Sequence, residues 1–178
     1  MKIDRNIIKC DEKAIFELRS LYQGYGFAQY KMGKFEEYDL YVKNKDFITS
    51  DSIITFNDAN GKLMALKPDA TLSIVKNYHH IPGYVQKVYY SENIYRVSES
   101  THTFKEILQT GLEAIGDIDV YNICEVTMLA VKSLMTISTE CVLDISHLGV
   151  ISAILDTIDI DEEVRDAIVK CMSEKNTH

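Results

Sequence analysis

Gln109, Gly111 and Glu113 alternate within the apolar stretch Ile107-Leu-Gln-Thr-Gly-Leu-Glu-Ala-Ile115. If the stretch is a β-strand, alternate residues share a face. Leu108, Thr110, Leu112 and Ala114 then turn the other way and form core. The first face carries two hydrogen-bonding side chains with a glycine between them, and the missing side chain is room for a ligand. At about 3.3 Å per residue the two outer Cα atoms stand about 13 Å apart. Side chains reaching inward across that span can hold the two ends of one amino acid. The alternative is a solvent-facing polar strand face interrupted by a bulge at Gly111.

Three further residues join this candidate set. Arg96 lies near the end of the preceding apolar run and shares a face with Ile94 and Glu92. Its planar fork suits a carboxylate or a phosphate, and an ion pair with Glu92 or with the facing strand is the alternative. Asp69 and Thr71 follow Pro68 at a strand-to-helix junction, where either is a natural N-cap. The same junction sets a carboxylate where a ligand's ammonium group can meet it. His147 has the spacing of a helix-start residue and receives no catalytic role.

The elements that must position these residues are legible in the apolar pattern. Asp11 to Gln23 reads as a helix with Asp11 as N-cap, broken by Gly24 and Gly26, and Phe27 to Lys31 reads as a short strand. Ser52 to Phe56 and Lys62 to Leu66 flank Asn57-Asp-Ala-Asn-Gly61, a hairpin signature. Thr71 to Tyr78 is helical and Ile81-Pro-Gly83 ends it. Two long strands follow, Tyr84 to Val97 and Thr103 to Ala114, joined by the polar Ser98-Glu-Ser-Thr-His102. Asp119 to Met135 is an amphipathic helix with a broad apolar face. Cys141 to Ile145 reads as a strand, and His147 to Leu155 and Glu162 to Met172 as helices, the last capped by Asp161. Strands in runs, flanked by helices, predict an α+β fold on an antiparallel sheet.

Composition sets the outer limits. The chain has 178 residues, 46% hydrophobic and 26% charged, a globular profile long enough for one domain with a core. No apolar run approaches the roughly 20 residues of a spanning helix. Met1-Lys-Ile-Asp-Arg5 has no signal-peptide core behind it, so the expected compartment is the cytosol. Cys10, Cys124, Cys141 and Cys171 lie far apart, which predicts reduced, mostly buried thiols rather than a zinc site or a disulfide framework. With 27 acidic against 19 basic residues the net charge is −8, a poor match to a nucleic-acid backbone.

Three stretches resemble the class II histidyl-tRNA synthetases, in order and at fitting separations. Tyr25-Gly-Phe27 through Phe35-Glu-Glu-Tyr-Asp-Leu-Tyr41 is similar to the first class motif, the dimer-forming helix and strand. Phe56-Asn-Asp58 through Leu66-Lys-Pro-Asp-Ala-Thr71 is similar to the hairpin that ends in Arg-Pro-Glu-Gly-Thr. Val88-Tyr-Tyr90 through Gln109-Thr-Gly-Leu-Glu-Ala-Ile-Gly116 is similar to the second motif. The resemblance implies a class II synthetase-like core, incomplete here, with Asp69, Thr71, Gln109 and Glu113 on histidine. Glu113 would face the imidazole and Asp69 and Thr71 the α-amino end, while Arg96 matches the arginine that holds the ATP α-phosphate.

Departures from the pattern point within the family. After Arg96 the synthetase glutamate position is Ser98, and the loop through Thr103 has no arginine to clamp phosphate charge. Gly33 stands where the first motif has proline. Val142-Leu-Asp-Ile-Ser-His147-Leu-Gly149 resembles the regulatory subunits of ATP phosphoribosyltransferase, synthetase paralogues that bind rather than catalyse. This resemblance implies a short-form catalytic subunit as partner, histidine as ligand, a homodimer, no cofactor and no metal. It also implies that residues 1–178 are the N-terminal part of a larger protein whose third motif lies elsewhere; a fragment of a divergent histidyl-tRNA synthetase is the alternative.

Overall fold

The computed structural model describes residues 8–44, 52–98, 100–145, 148–158 and 160–173. It contains two compact units, Met1–Cys141 and Val142–His178. In the first, α1 (Cys10–Gly24), β1 (Ala28–Gln29), β2 (Phe35–Glu37), α2 (Asp39–Val42), β3 (Thr55–Asn57), β4 (Leu63–Leu66), α3 (Ala70–Val75), β5 (Val85–Val97), β6 (Phe104–Gly116) and α4 (Val120–Ile137) follow one another. The second holds α5 (Leu148–Leu155) and α6 (Glu162–Ser173).

The two long strands form the backbone of the fold. β5 and β6 pair antiparallel over their full length, from Val85 opposite Gly116 to Val97 opposite Phe104. Their loop is closed by the Ser98 amide donating to the Thr103 carbonyl at 2.9 Å. β1 joins β5 in parallel, so this sheet is mixed, with order β1-β5-β6. A second sheet, order β2-β4-β3, is antiparallel throughout. Its β3–β4 hairpin is the predicted one, with Asp58 Oδ1 accepting from the Asn60 and Lys62 amides, each at 2.8 Å. Just beyond β4 the chain binds the two sheets together. The Lys67 amide donates to the Lys34 carbonyl at 3.0 Å, and the Tyr95 amide donates to the Lys67 carbonyl at 2.8 Å.

The period-2 pattern of β5 gives the long sheet two unlike faces. On one, Tyr89 packs with Leu18 and Tyr22 of α1, Phe27, and Leu129 of α4. On the other, Val88 and Tyr90 pack with Ala70 and Ile74 of α3. A third cluster, Tyr41, Ile53, Ala65 and Leu72, holds the second sheet against α2 and α3.

Several expectations are corrected. The N-cap of α1 is Lys9, not Asp11, because Glu12 reaches back to accept the Lys9 amide at 2.9 Å and starts the helix early. Phe27 to Lys31 shrinks to a two-residue strand with Phe27 buried beside it. The helix expected over Thr71 to Tyr78 is Ala70–Val75. Cys141 to Ile145 is irregular, with no strand beside it among the described residues, and Val142 and Ile145 are exposed. Leu108, assigned to the core, is 49% exposed: it lies in the half of β6 nearer the loop, whereas Leu112, farther along the strand, packs on the α1 cluster.

The broad apolar face of α4 is split. Leu129 is buried, but so are Asn122 and Glu125, while Val120, Ile123, Met128 and Met135 face outward. By length and composition α4 is also long enough to cross a membrane, contrary to the sequence reading. It packs instead on the sheet, with Glu125 paired to Lys87 of β5 at 2.5 Å. All four cysteines are free, as expected, but Cys10 and Cys124 are exposed and Cys141 and Cys171 half-buried rather than mostly buried. Asp161 does cap α6, accepting the Val164 amide at 2.9 Å. His147 lies outside the described residues.

Candidate functional site

The extended turn at Pro68 delivers the first group of candidate residues. Asp69 has extended backbone and its Oδ1 accepts the Leu72 amide at 2.9 Å, so it is the N-cap of α3, as residue type alone suggested. Its second oxygen stays out of the cap and faces Arg96 Nη2 at 4.0 Å. Two residues on, the Thr71 hydroxyl donates to Glu113 Oε1 at 2.7 Å. That bond ties the start of α3 to β6 across a sequence separation of 42 residues.

β6 presents Gln109, Gly111 and Glu113 on one face, and the register sets Glu92, Tyr90 and Val88 of β5 directly opposite them. Here the structure revises the expected geometry. A Cβ added to Gly111 would lie 2.7 Å from the Tyr90 hydroxyl and 2.9 Å from its Cζ. The place of the missing side chain is therefore taken by the Tyr90 phenol, not left as room for a ligand, and no bulge interrupts the pairing. Gln109 Nε2 donates to Tyr90 Oη at 3.2 Å, while Gln109 Oε1 is buried with no hydrogen-bond partner among the described residues.

Arg96 departs from both pairings considered for it. Its Nε donates to the Pro68 carbonyl at 2.8 Å and its fork turns toward Asp69. Glu92 is instead 3.6 Å from the ammonium of Lys67. The Lys67 side chain is 1% exposed and its Nζ has no hydrogen-bond partner among the described residues.

The electrostatics follow from this crowding. Burial raises the Glu113 carboxyl above its ordinary range, Asp69 adds to the rise, and the Thr71 hydroxyl opposes it. Burial also pushes the Tyr90 phenol up to about 12, with the Glu113 and Asp69 carboxylates contributing. Asp69, Thr71, Tyr90 and Glu113 thus form an acidic, hydroxyl-rich end. Lys67 and Arg96 lie toward the far end of β5. An arrangement of this kind complements a zwitterion, its cation at the carboxylates and its anion toward the basic side chains.

The sequence profile of the histidyl-tRNA synthetase family matches residues 8–178. The chain belongs to that family. Among curated family members, the ATP phosphoribosyltransferase regulatory subunit of Clostridium kluyveri is 28% identical over 94% of this chain and 45% of its own length. The histidine–tRNA ligase of Methanocaldococcus jannaschii is 30% identical over 83% of this chain and 36% of its own length. The chain therefore spans less than half the length of these relatives. In fold it matches a chain of the ATP phosphoribosyl transferase (HisG:HisZ) complex from Thermotoga maritima with a TM-score of 0.70 at 23% identity, over 94% of this chain and 57% of that one. The α+β, class II synthetase-like architecture and the likeness to regulatory subunits both hold.

Of the predicted site residues, the fold brings Asp69, Thr71, Glu113 and Arg96 around the Pro68 turn, and Gln109 beside them through Tyr90. Two residues of the floor were given no role from sequence. Tyr90 was traceable by counting back from the loop between the long strands, which sets it opposite Gly111. Lys67 had no such signal, because a lysine after a strand reads as a solvated charge until the turn that buries it is known.

Proposed function

We propose that this chain is the amino-acid-binding part of a non-catalytic regulatory subunit of ATP phosphoribosyltransferase. It would assemble with a short-form catalytic subunit, support that subunit's activity, and carry feedback by histidine. The observation that carries this reading is the Thr71–Glu113 bond. It joins the two stretches the family uses on histidine into one floor, with Asp69 and Gln109 at its sides. Beyond Arg96 the chain runs through Ser98 to Thr103 with no arginine, so the phosphate-handling side has no counterpart charge. Asp69 and Thr71 would take the α-amino end of histidine and Glu113 the imidazole.

Histidine would act by binding one state of the assembly better than another, since equal affinity shifts nothing. The subunit would be cytoplasmic and homodimeric and would need no cofactor or metal of its own. The test is phosphoribosyl-ATP formation by a short-form catalytic subunit, alone, with this chain, and with histidine added. Stimulation reversed by histidine supports the reading. Absence of any response, together with histidine-dependent tRNA charging, would replace it with a divergent histidyl-tRNA synthetase, a reading favoured by the relatives that bear that name.

A further inference from the structure

α3 has only six residues, too few to hold a helix in place without packing. It is wedged between the two sheets. Ala70 and Ile74 pack on Val88 and Tyr90 of β5, while Leu72 packs with Tyr41 and Ala65 on the other side. Residues two apart in a helix point in nearly opposite directions. Thr71 and Ser73 stand in that relation, and each hydroxyl is taken by a carboxylate of a different sheet. Thr71 donates to Glu113 of β6 at 2.7 Å, and Ser73 donates to Glu36 of β2 at 3.0 Å. Ser73 and Glu36 are both buried, and the second oxygen of Glu36 pairs with Lys76, the C-cap of the same helix. Glu36 thus grips α3 at two points on the side away from the candidate site.

We propose that Glu36 is a positioning residue for the amino-acid floor: through Ser73 it fixes the seat of α3, and so the aim of Thr71 at Glu113. The proposal rests on the amino-acid reading above and adds a residue that acts through a helix rather than by contact. Thr71 meets Glu113 only while α3 keeps its place against both sheets. Releasing the Ser73 side leaves the helix free to shift, and the Thr71–Glu113 bond loosens. Glu113 then loses the donor that opposes the upward push of burial and of Asp69.

The experiment follows the Glu113 side-chain carboxyl by carbon-13 NMR titration, and L-histidine binding by calorimetry, in the full chain. The variants are Ser73→Ala, Thr71→Val and the two combined, each shown to be folded by circular dichroism melts. Thr71→Val should raise the Glu113 titration, because it removes the opposing hydroxyl. Ser73→Ala should raise it as well, from the far side of the helix, and weaken histidine by about 3- to 10-fold. The combined variant should titrate as Thr71→Val does, since the clamp acts only through Thr71. A folded Ser73→Ala with the wild-type Glu113 titration, or with wild-type affinity, would overturn the proposal and leave the amino-acid site standing. So would a combined variant whose upward shift exceeds that of Thr71→Val. If the wild-type chain binds no histidine, the amino-acid reading falls and the titrations alone decide the clamp. If Ser73→Ala does not fold, Glu36→Gln decides. Losing the Glu36 charge can by itself only lower Glu113 or leave it unchanged. A rise must therefore come through Thr71, and no rise overturns the proposal.

Discussion

Tyr89 and Tyr90 are consecutive in the chain, both almost wholly buried, and point to opposite faces of one sheet. Tyr89 is stacked at a tilt on Tyr22, 5.9 Å between ring centres, and its hydroxyl accepts from Gln23 Nε2 at 3.1 Å. Around it Leu18, Phe27 and Leu129 complete an apolar cluster. Tyr90 fills the hollow over Gly111 and is edged by Glu113, Asp69 and a half-satisfied Gln109. Burial is the same on the two faces, and the chemistry is not. The α1–α4 face spends its tyrosine on packing. The α3 face uses its tyrosine as a support on which polar groups are held without being fully consumed.

The largest expected effect lies on the packing face. Leu129→Ala should lower unfolding stability by about 2–5 kcal/mol, the cost of emptying a fully buried leucine site. In denaturant titrations that loss should come with histidine affinity unchanged wherever the protein remains folded. A drop in affinity as large as the drop in stability would mean that the two faces are not separable. Next in size is Gly111→Ala. The new methyl meets the Tyr90 ring well inside contact distance, so about 1–3 kcal/mol should be lost. Here affinity should fall as well, because the displaced phenol is the support of Gln109. Loss of stability with full affinity would show that the phenol fills space and nothing more.

This division also marks what the sequence could reveal. Alternation along β6 was enough to put Gln109, Gly111 and Glu113 together, and hairpin chemistry at Asn57 to Gly61 was enough to place β4 before the Pro68 turn. The occupant of the Gly111 hollow was not legible from β6 alone, because it comes from the register of a partner strand. Lys67 was given no role and Arg96 was assigned other partners for a related reason. Their partners are the Pro68 carbonyl and residues of another element, contacts made only after the turn brings β4 alongside β5. The α4 helix erred the other way. Its apolar period is real, but Asn122 and Glu125 face the sheet because Lys87 and the Asp119 cap give them partners there. Cys141 to Ile145 carries β-forming residues with no strand to receive them among the described residues, and propensity alone does not make a strand.

A matched pair of substitutions sharpens the comparison. Tyr89→Phe and Tyr90→Phe each delete one hydroxyl that accepts a side-chain amide, at 3.1 and 3.2 Å. Each should cost about 0.5–1.5 kcal/mol of stability. Only Tyr90→Phe should also weaken histidine, by about tenfold, since the Gln109 side chain then loses its hydrogen bond to the Tyr90 hydroxyl. Equal effects of the two variants on histidine titrations would erase the functional distinction between the faces.

The smallest expected effect concerns two glutamates, Glu125, which is buried, and Glu113, which is half-buried. Glu125 on the packing face has the Lys87 ammonium at 2.5 Å, whereas Glu113 has a hydroxyl donor and a neighbouring carboxylate. With its pKa raised by burial, Glu113 protonates more readily in the folded chain than in the unfolded one. Such a group adds stability below its ordinary pKa, and that stability is lost as pH rises through the raised value. Glu113→Gln is neutral at every pH and lacks this dependence. Its melting temperature should therefore gain on the wild type between mildly acidic and neutral pH, by no more than about 2–4 °C, the shift that about 1 kcal/mol produces in a chain of this size. A gain that is flat with pH would mean that Glu113 is not held above its ordinary range. A pH-dependent gain accompanied by weaker histidine binding would mark Glu113 as a carboxylate kept against the stability of the fold, its missing cation supplied by the ligand.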